Sequence, residues 1–179
     1  MMLLFLGIFT QEYYKMLKQR KTEIKWGIIF TIAGLLWMLM ERLVGLHDNY
    51  IAYHATYTNF FALIAIAIYV LALREKREKD LNGSMTWKQG FVSGLIIAVV
   101  VAILTPISQW ITHVIISPDY FENVSNFSVT QGEMSAEQAE VYFQLSSYIV
   151  QSMIFALVIG AITAAIVAVF MKTPQPDAD

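Results

Sequence analysis

Apolar residues in this chain are gathered into blocks rather than scattered at helix or strand period. Four stretches are long and almost free of charge: Ile24 to Leu46, Tyr50 to Leu73, Gly90 to Ile116 and Tyr148 to Met171. Each exceeds the roughly 20 residues an α-helix needs to cross a hydrocarbon core of about 30 Å. Runs such as Leu95 to Leu104 do not alternate in polarity, which excludes membrane β-strands. The pattern predicts an all-α fold, a polytopic four-helix transmembrane bundle with spans at about 24–46, 50–73, 88–116 and 146–171. Residues 1–21 read as an amino-terminal extension, 22–172 as the membrane domain and 173–179 as a disordered tail. Met1 to Phe9 is apolar but too short to span, and lacks the basic start and small-residue cleavage site of a signal peptide. It reads as an upstream extension or an interfacial helix.

Local signals refine the elements. Thr86-Trp87-Lys88-Gln89 and Ser135-Ala136-Glu137-Gln138 are capping-box patterns. The first opens the third span after the Asn82-Gly83 turn; the second is expected to start a helix that runs on into the fourth span, projecting beyond the membrane or kinking near Ser146-Ser147. Pro106 removes one helical hydrogen bond, so a bend or break is expected there. Between Pro118 and Val129, apolar and polar residues mix as in a strip lying on a membrane surface. Small residues Ser152, Ala156, Gly160, Ala164 and Ala168 recur every four positions, with Gly90 and Gly94 repeating the spacing in the third span. Such stripes let helix backbones approach closely, within one chain or between two copies.

Composition agrees with the blocks: 57% of the 179 residues are hydrophobic and only 15% charged, with a mean hydropathy of +0.55. The net charge of −2 hides a strong polarity along the chain. Lys15, Lys18, Arg20, Lys21 and Lys25 precede the first span, Arg74, Lys76, Arg77, Lys79 and Lys88 separate the second from the third, and Lys172 follows the fourth. The segment from Ser117 to Ser147 has no basic residue but carries Asp119, Glu122, Glu133, Glu137 and Glu140. By the positive-inside rule both termini are expected in the cytoplasm. Trp26 and Trp87 then fall at the inner boundary and Trp110, Tyr50, Tyr53 and Tyr148 near the outer one. Trp37, eleven residues past Trp26, lies about 16 Å deeper and reads as packed between helices, or facing lipid or a ligand. Nothing in the composition calls for a nucleic-acid partner.

Candidate chemistry gathers at the outer ends of the first three spans. Glu41, His47, Asp48, His54, Gln109 and His113 form a candidate outer polar cluster, with Asp119 and neighbouring tyrosines able to join it. Tyr50, Tyr53, His54 and Tyr57 share one helical face by their spacing, and Gln109, Thr112 and His113 share another. Glu41 is the deepest of these groups and needs a partner on another helix, for which His54, Gln109 and His113 are the candidates. Arg42 cannot serve, because adjacent helical residues diverge by about 100°. A hydrogen-bonded clasp, a proton- or metal-linked site and an enzyme site all remain open. No close-spaced ligand pair such as His-x-x-x-His is present, so no metal and no cofactor is expected. His-Glu-x-x-His, Gly-x-Ser-x-Gly and phosphate-binding Gly-rich loops are absent too, and no enzymatic activity is expected. With no cysteine, disulfides and thiolate chemistry are excluded.

Four segments carry a resemblance: Glu23-Ile24-Lys25-Trp26-Gly27, Glu41 to Asp48, Met85 to Phe91 and Ile116 to Phe121. Together they make the region from Thr22 to Met171 resemble a bacterial family of four-span membrane proteins catalogued as a domain of unknown function, the family numbered 4199. The resemblance implies the four-span fold and a Gram-negative inner-membrane location, and carries no activity. The expected function is that of a non-enzymatic accessory or scaffold protein in the inner membrane. Its partners would be the lipid bilayer together with a second copy of itself or a periplasmic protein. The alternative is a small proton- or ion-linked transporter or channel subunit.

Overall fold

The computed structural model describes residues 20–173, and the expectations for residues 1–19 and 174–179 lie outside the described residues. These form six helices and no strand: α1 (Lys21–Leu43), α2 (Ile51–Asp80), α3 (Trp87–Ile116), α4 (Tyr120–Thr130), α5 (Ala136–Tyr142) and α6 (Leu145–Met171). Helices α1, α2, α3 and α6 are long and apolar enough to cross a membrane. Their outward faces are apolar: Ile28, Ile32 and Leu36 follow one another up α1, and Ile154, Val158, Ile162 and Ile166 up α6, all exposed. Water would make such continuous apolar surface costly, whereas hydrocarbon accommodates it.

Around the bundle the order is α1, α2, α6, α3, with the most extensive contact between α3 and α6. That contact is built on the small-residue stripe. A Cβ added at Gly160 would lie 2.5 Å from that of Ala98, one at Gly94 2.5 Å from Ala164, and one at Gly90 3.1 Å from Ala168. The pairs advance four residues on α6 as they retreat four on α3, the register of two antiparallel helices in close approach. The stripe is therefore used inside the chain at Gly160, Ala164 and Ala168. Ser152 joins α3 by accepting a hydrogen bond from Gln109, and Ala156 is half-buried between these positions. On the other flank of α3, a Cβ at Gly27 of α1 would meet Val100 at 2.5 Å, a close approach outside any stripe.

Several boundaries differ from those expected. Helix α1 stops at Leu43, where Gly45, with φ 82°, reverses the chain so that Leu46 N–H donates to the Glu41 carbonyl. Helix α2 runs on to Asp80, and its last turn, over Lys76–Asp80, is π-type with Lys76 buried. At Pro106 there is no break: α3 stays α-helical to Trp110 and widens to a π-type turn only over Ile111–Ile116. Helix α5 does not continue into α6. The chain is extended at Gln144 (φ −126°, ψ 151°), two residues before Ser146, so the two helices are separate. Both capping boxes form, at Thr86 and at Ser135. Thr173, placed in the tail by the sequence pattern, is tied down: its N–H donates to the Met85 carbonyl, and Met85 N–H donates to its hydroxyl, each at 2.9 Å.

Candidate functional site

Two polar centres are buried in the bundle, and both are built on α1. Glu23 and Glu41 are eighteen residues apart, five helical turns, so they share one face about 27 Å apart. Neither carboxylate is exposed.

At the basic end of the bundle, Glu23 Oε1 accepts from Ser93 Oγ at 3.0 Å and pairs with Lys76 Nζ at 3.0 Å and Arg20 Nη1 at 3.2 Å. Lys76 also meets Asp80 at 3.0 Å, and Asp80 accepts from the Thr22 hydroxyl at 2.9 Å. The result is an ionic clasp joining the start of α1 to the end of α2 and the start of α3; these contacts fall on Oε1, and Glu23 Oε2 is buried without a hydrogen-bond partner among the described residues. Sequence reasoning missed it, because Lys76 sits in a run of charges that reads as a solvated face. The available signal was Glu23 itself, an acid at the first turn of an apolar span.

At the opposite end the arrangement is more open. Trp37, one turn before Glu41, donates its indole N–H to Glu41 Oε1 at 2.6 Å. The depth expected for Trp37 thus has a purpose: the indole orients the carboxylate. The other oxygen, Oε2, faces His47 Nε2 at 3.4 Å and His54 Nε2 at 3.5 Å. Both separations exceed the 2.7–3.2 Å of a sound N–H···O bond. The reversal at Gly45 lays His47 over the end of α1, and His54 enters from the first turn of α2.

Tyr120, the first residue of α4, stands amid all three imidazoles, with its ring centroid 5.0 Å from His47, 5.2 Å from His54 and 5.3 Å from His113. Its hydroxyl lies 3.4 Å from His54 Nδ1 and 3.3 Å from the Tyr148 hydroxyl. Burial pushes the Tyr120 phenol well above the usual tyrosine range, so it stays protonated at any physiological pH. Asn123, also on α4, donates to the His47 carbonyl at 3.0 Å and closes the cap over the cluster.

The six residues of the expected cluster therefore divide. Glu41, His47 and His54 meet. His113 and Gln109 form a second group beside them: His113 Nε2 lies 3.0 Å from Gln109 Oε1, the ring stacks on Phe121 at 4.0 Å, and Gln109 Nε2 donates to Ser152 at 2.8 Å. Neither supplies Glu41 with a partner. Asp48 stands apart, paired with Arg42, and its carboxyl is held below the ordinary aspartate range by the Asn49 N–H and the Arg42 guanidinium. Asp119 is exposed. Of the tyrosines that share a face with His54, Tyr50, Tyr53 and Tyr57 line an outer groove with Val44 and Leu46 rather than the cluster. Their shared spacing was sound, but His54 turns inward from its edge.

Chemically, the site offers a carboxylate oxygen and two imidazole nitrogens converging in a largely dry space. The ligand atoms of Glu41, His47 and His54 lie within 4.8 Å of one another. Among the described residues, His47 Nδ1, His54 Nε2 and His113 Nδ1 are buried here without a hydrogen-bond partner, as is Glu23 Oε2 at the other centre. Comparison with curated proteins and with solved structures finds no match. Residues 25–173, almost the whole described bundle, match the family described as "Protein of unknown function (DUF4199)", and the chain belongs to that family.

Proposed function

We propose that this chain is a multi-pass inner-membrane protein with both termini in the cytoplasm, acting as a non-enzymatic accessory or scaffold whose acidic cap, α4 and α5, meets a periplasmic partner. The observation that carries this reading is the packed apolar slab between the two buried polar centres. Phe30 meets Phe61 at 5.5 Å and Tyr69 at 6.1 Å edge-on, Trp37 packs on Phe61 at 5.9 Å, and Gly27 and Gly160 draw the backbones of α1 and α6 against α3. A transport route needs a polar path between the two centres, and this slab separates them. The charged surface instead lies at the ends, with Glu133, Glu137 and Glu140 exposed on the cap.

The cysteine-free sequence makes the test direct. Single cysteines at Glu137 and Lys88 are labelled in intact cells with a membrane-impermeant maleimide. Glu137→Cys is expected to react and Lys88→Cys only after lysis; the reverse pattern overturns the orientation. A photo-crosslinker at Glu137 is expected to yield one discrete adduct, and a featureless ladder of neighbours counts against the scaffold role. An ion-linked transporter remains the second reading because Glu41 and the histidines are buried together. Proton or divalent-ion flux in proteoliposomes that is abolished by Glu41→Gln decides in its favour.

A further inference from the structure

We propose that Glu41, His47 and His54 are the ligands of a single divalent transition-metal ion, with zinc the best match to the donor set. Two imidazole nitrogens and one carboxylate oxygen suit a borderline metal and do not suit calcium or magnesium, which take mainly oxygen ligands. The separations carry the argument. Zinc holds nitrogen and oxygen donors about 2.0–2.1 Å away in a tetrahedron, which places neighbouring donors about 3.3–3.4 Å apart. Glu41 Oε2 stands 3.4 Å from His47 Nε2 and 3.5 Å from His54 Nε2, so two edges match, and all three ligand atoms lie within 4.8 Å of one another, so the two imidazoles need only close up on an ion. A hydrogen-bonded imidazolium–carboxylate pair draws in to about 2.7–2.9 Å instead.

The surroundings fit the same assignment. His54 Nε2 is buried with no hydrogen-bond partner among the described residues, and it points at the shared oxygen. Trp37 takes the other carboxylate oxygen at 2.6 Å, leaving Oε2 for the ion. The Tyr120 hydroxyl lies 3.4 Å from His54 Nδ1, on the side where an outer partner orients a metal-bound histidine but beyond ordinary hydrogen-bond length, and His47 Nδ1 has no hydrogen-bond partner among the described residues. Three protein donors leave a fourth position for water or a small ligand. The three residues come from the end of α1, the reversal after it and the first turn of α2, so an ion would pin α1 to α2 at that end. This inference is independent of the scaffold reading: metal binding is measured on the purified chain and partner capture in cells, so either can fail alone.

The test uses the full-length chain without a polyhistidine tag, stripped with chelator and placed in lipid nanodiscs. Zn²⁺ is titrated against a chromophoric competitor, and Co²⁺ is followed by its visible ligand-field bands. The expected result is one ion per chain, four-coordinate cobalt bands, and a raised melting temperature with zinc. His47→Ala, His54→Ala and Glu41→Gln should each weaken zinc by more than about 100-fold, beyond the 10–100-fold of an outer-shell loss expected for Trp37→Phe. His113→Ala should leave affinity unchanged. Because His54 is partly exposed, its variant is the least disruptive, and its metal-free melting curve reports whether it folds. Folded wild-type chain that binds no stoichiometric zinc overturns the proposal. So does zinc affinity that survives His54→Ala, or falls equally in His113→Ala.

Discussion

Glu23 and Glu41 are the same residue type on the same face of the same helix, and both are withdrawn from solvent, yet their surroundings differ in kind. Glu23 is met by two cations and a hydroxyl at 3.0–3.2 Å, so its charge is answered by the protein. Glu41 is met by one indole N–H and two imidazoles held too far away for hydrogen bonds of ordinary length. Burying a carboxylate is costly unless it is paired, and only Glu23 is paired with lysine and arginine, through Oε1, while its Oε2 has no hydrogen-bond partner among the described residues. The contrast separates an acid held by lysine and arginine from one faced by an indole and two imidazoles.

The sharpest way to break the comparison is to neutralise each acid in turn. Glu23→Gln leaves Lys76 paired with Asp80 but with one anion fewer in a nearly dry site, and the expected loss is about 2–3 kcal/mol, read as a lowered unfolding midpoint in detergent. Among the described residues no lysine or arginine pairs with Glu41, and Glu41→Gln keeps an acceptor for Trp37, so its expected cost is about 1 kcal/mol in metal-free protein. Equal losses at the two positions would erase the distinction.

Next in size is the packing that holds both ends in register. Gly94→Val forces a side chain to within 2.5 Å of Ala164 and against its backbone, and should cost about 1–3 kcal/mol in the same unfolding measurement. A smaller change sharpens the outer end alone. Tyr120→Phe removes the hydroxyl between His54 and Tyr148 while keeping the ring amid the imidazoles, for an expected loss of about 1 kcal/mol. The smallest effect belongs to the exposed ion pair at the basic end. Lys25→Ala removes the lysine that pairs with Glu75, but Trp26 and Lys79 still hold that carboxylate, so the midpoint should fall by less than about 1 kcal/mol.

Spacing and composition were enough for the four apolar helices and for both capping boxes, because these depend on a window of neighbours along the chain. Residues three or four apart on a helix share a face whatever the fold, so Trp37 beside Glu41 was legible in principle, as was the stripe from Ser152 to Ala168. Spacing also argued against a metal site, since it tests only ligands close together on one helix. Glu41, His47 and His54 are brought together by the reversal at Gly45, which no periodicity encodes. For the same reason Asp48 looked like a member of the cluster and is not, because its partner is Arg42, beyond the turn.

Length, hydropathy and charge order along the chain were thus sufficient for an all-α chain with four helices able to cross a membrane. Tertiary structure alone decided which of the polar groups at each end are joined. It turned Lys76 alone of its charged run inward to meet Glu23, carried Tyr120 from a surface helix into the midst of three histidines, and ended α5 before α6 begins. The physical reason is that hydrophobic burial depends on a residue's own character, while pairing a buried charge depends on where a distant partner arrives.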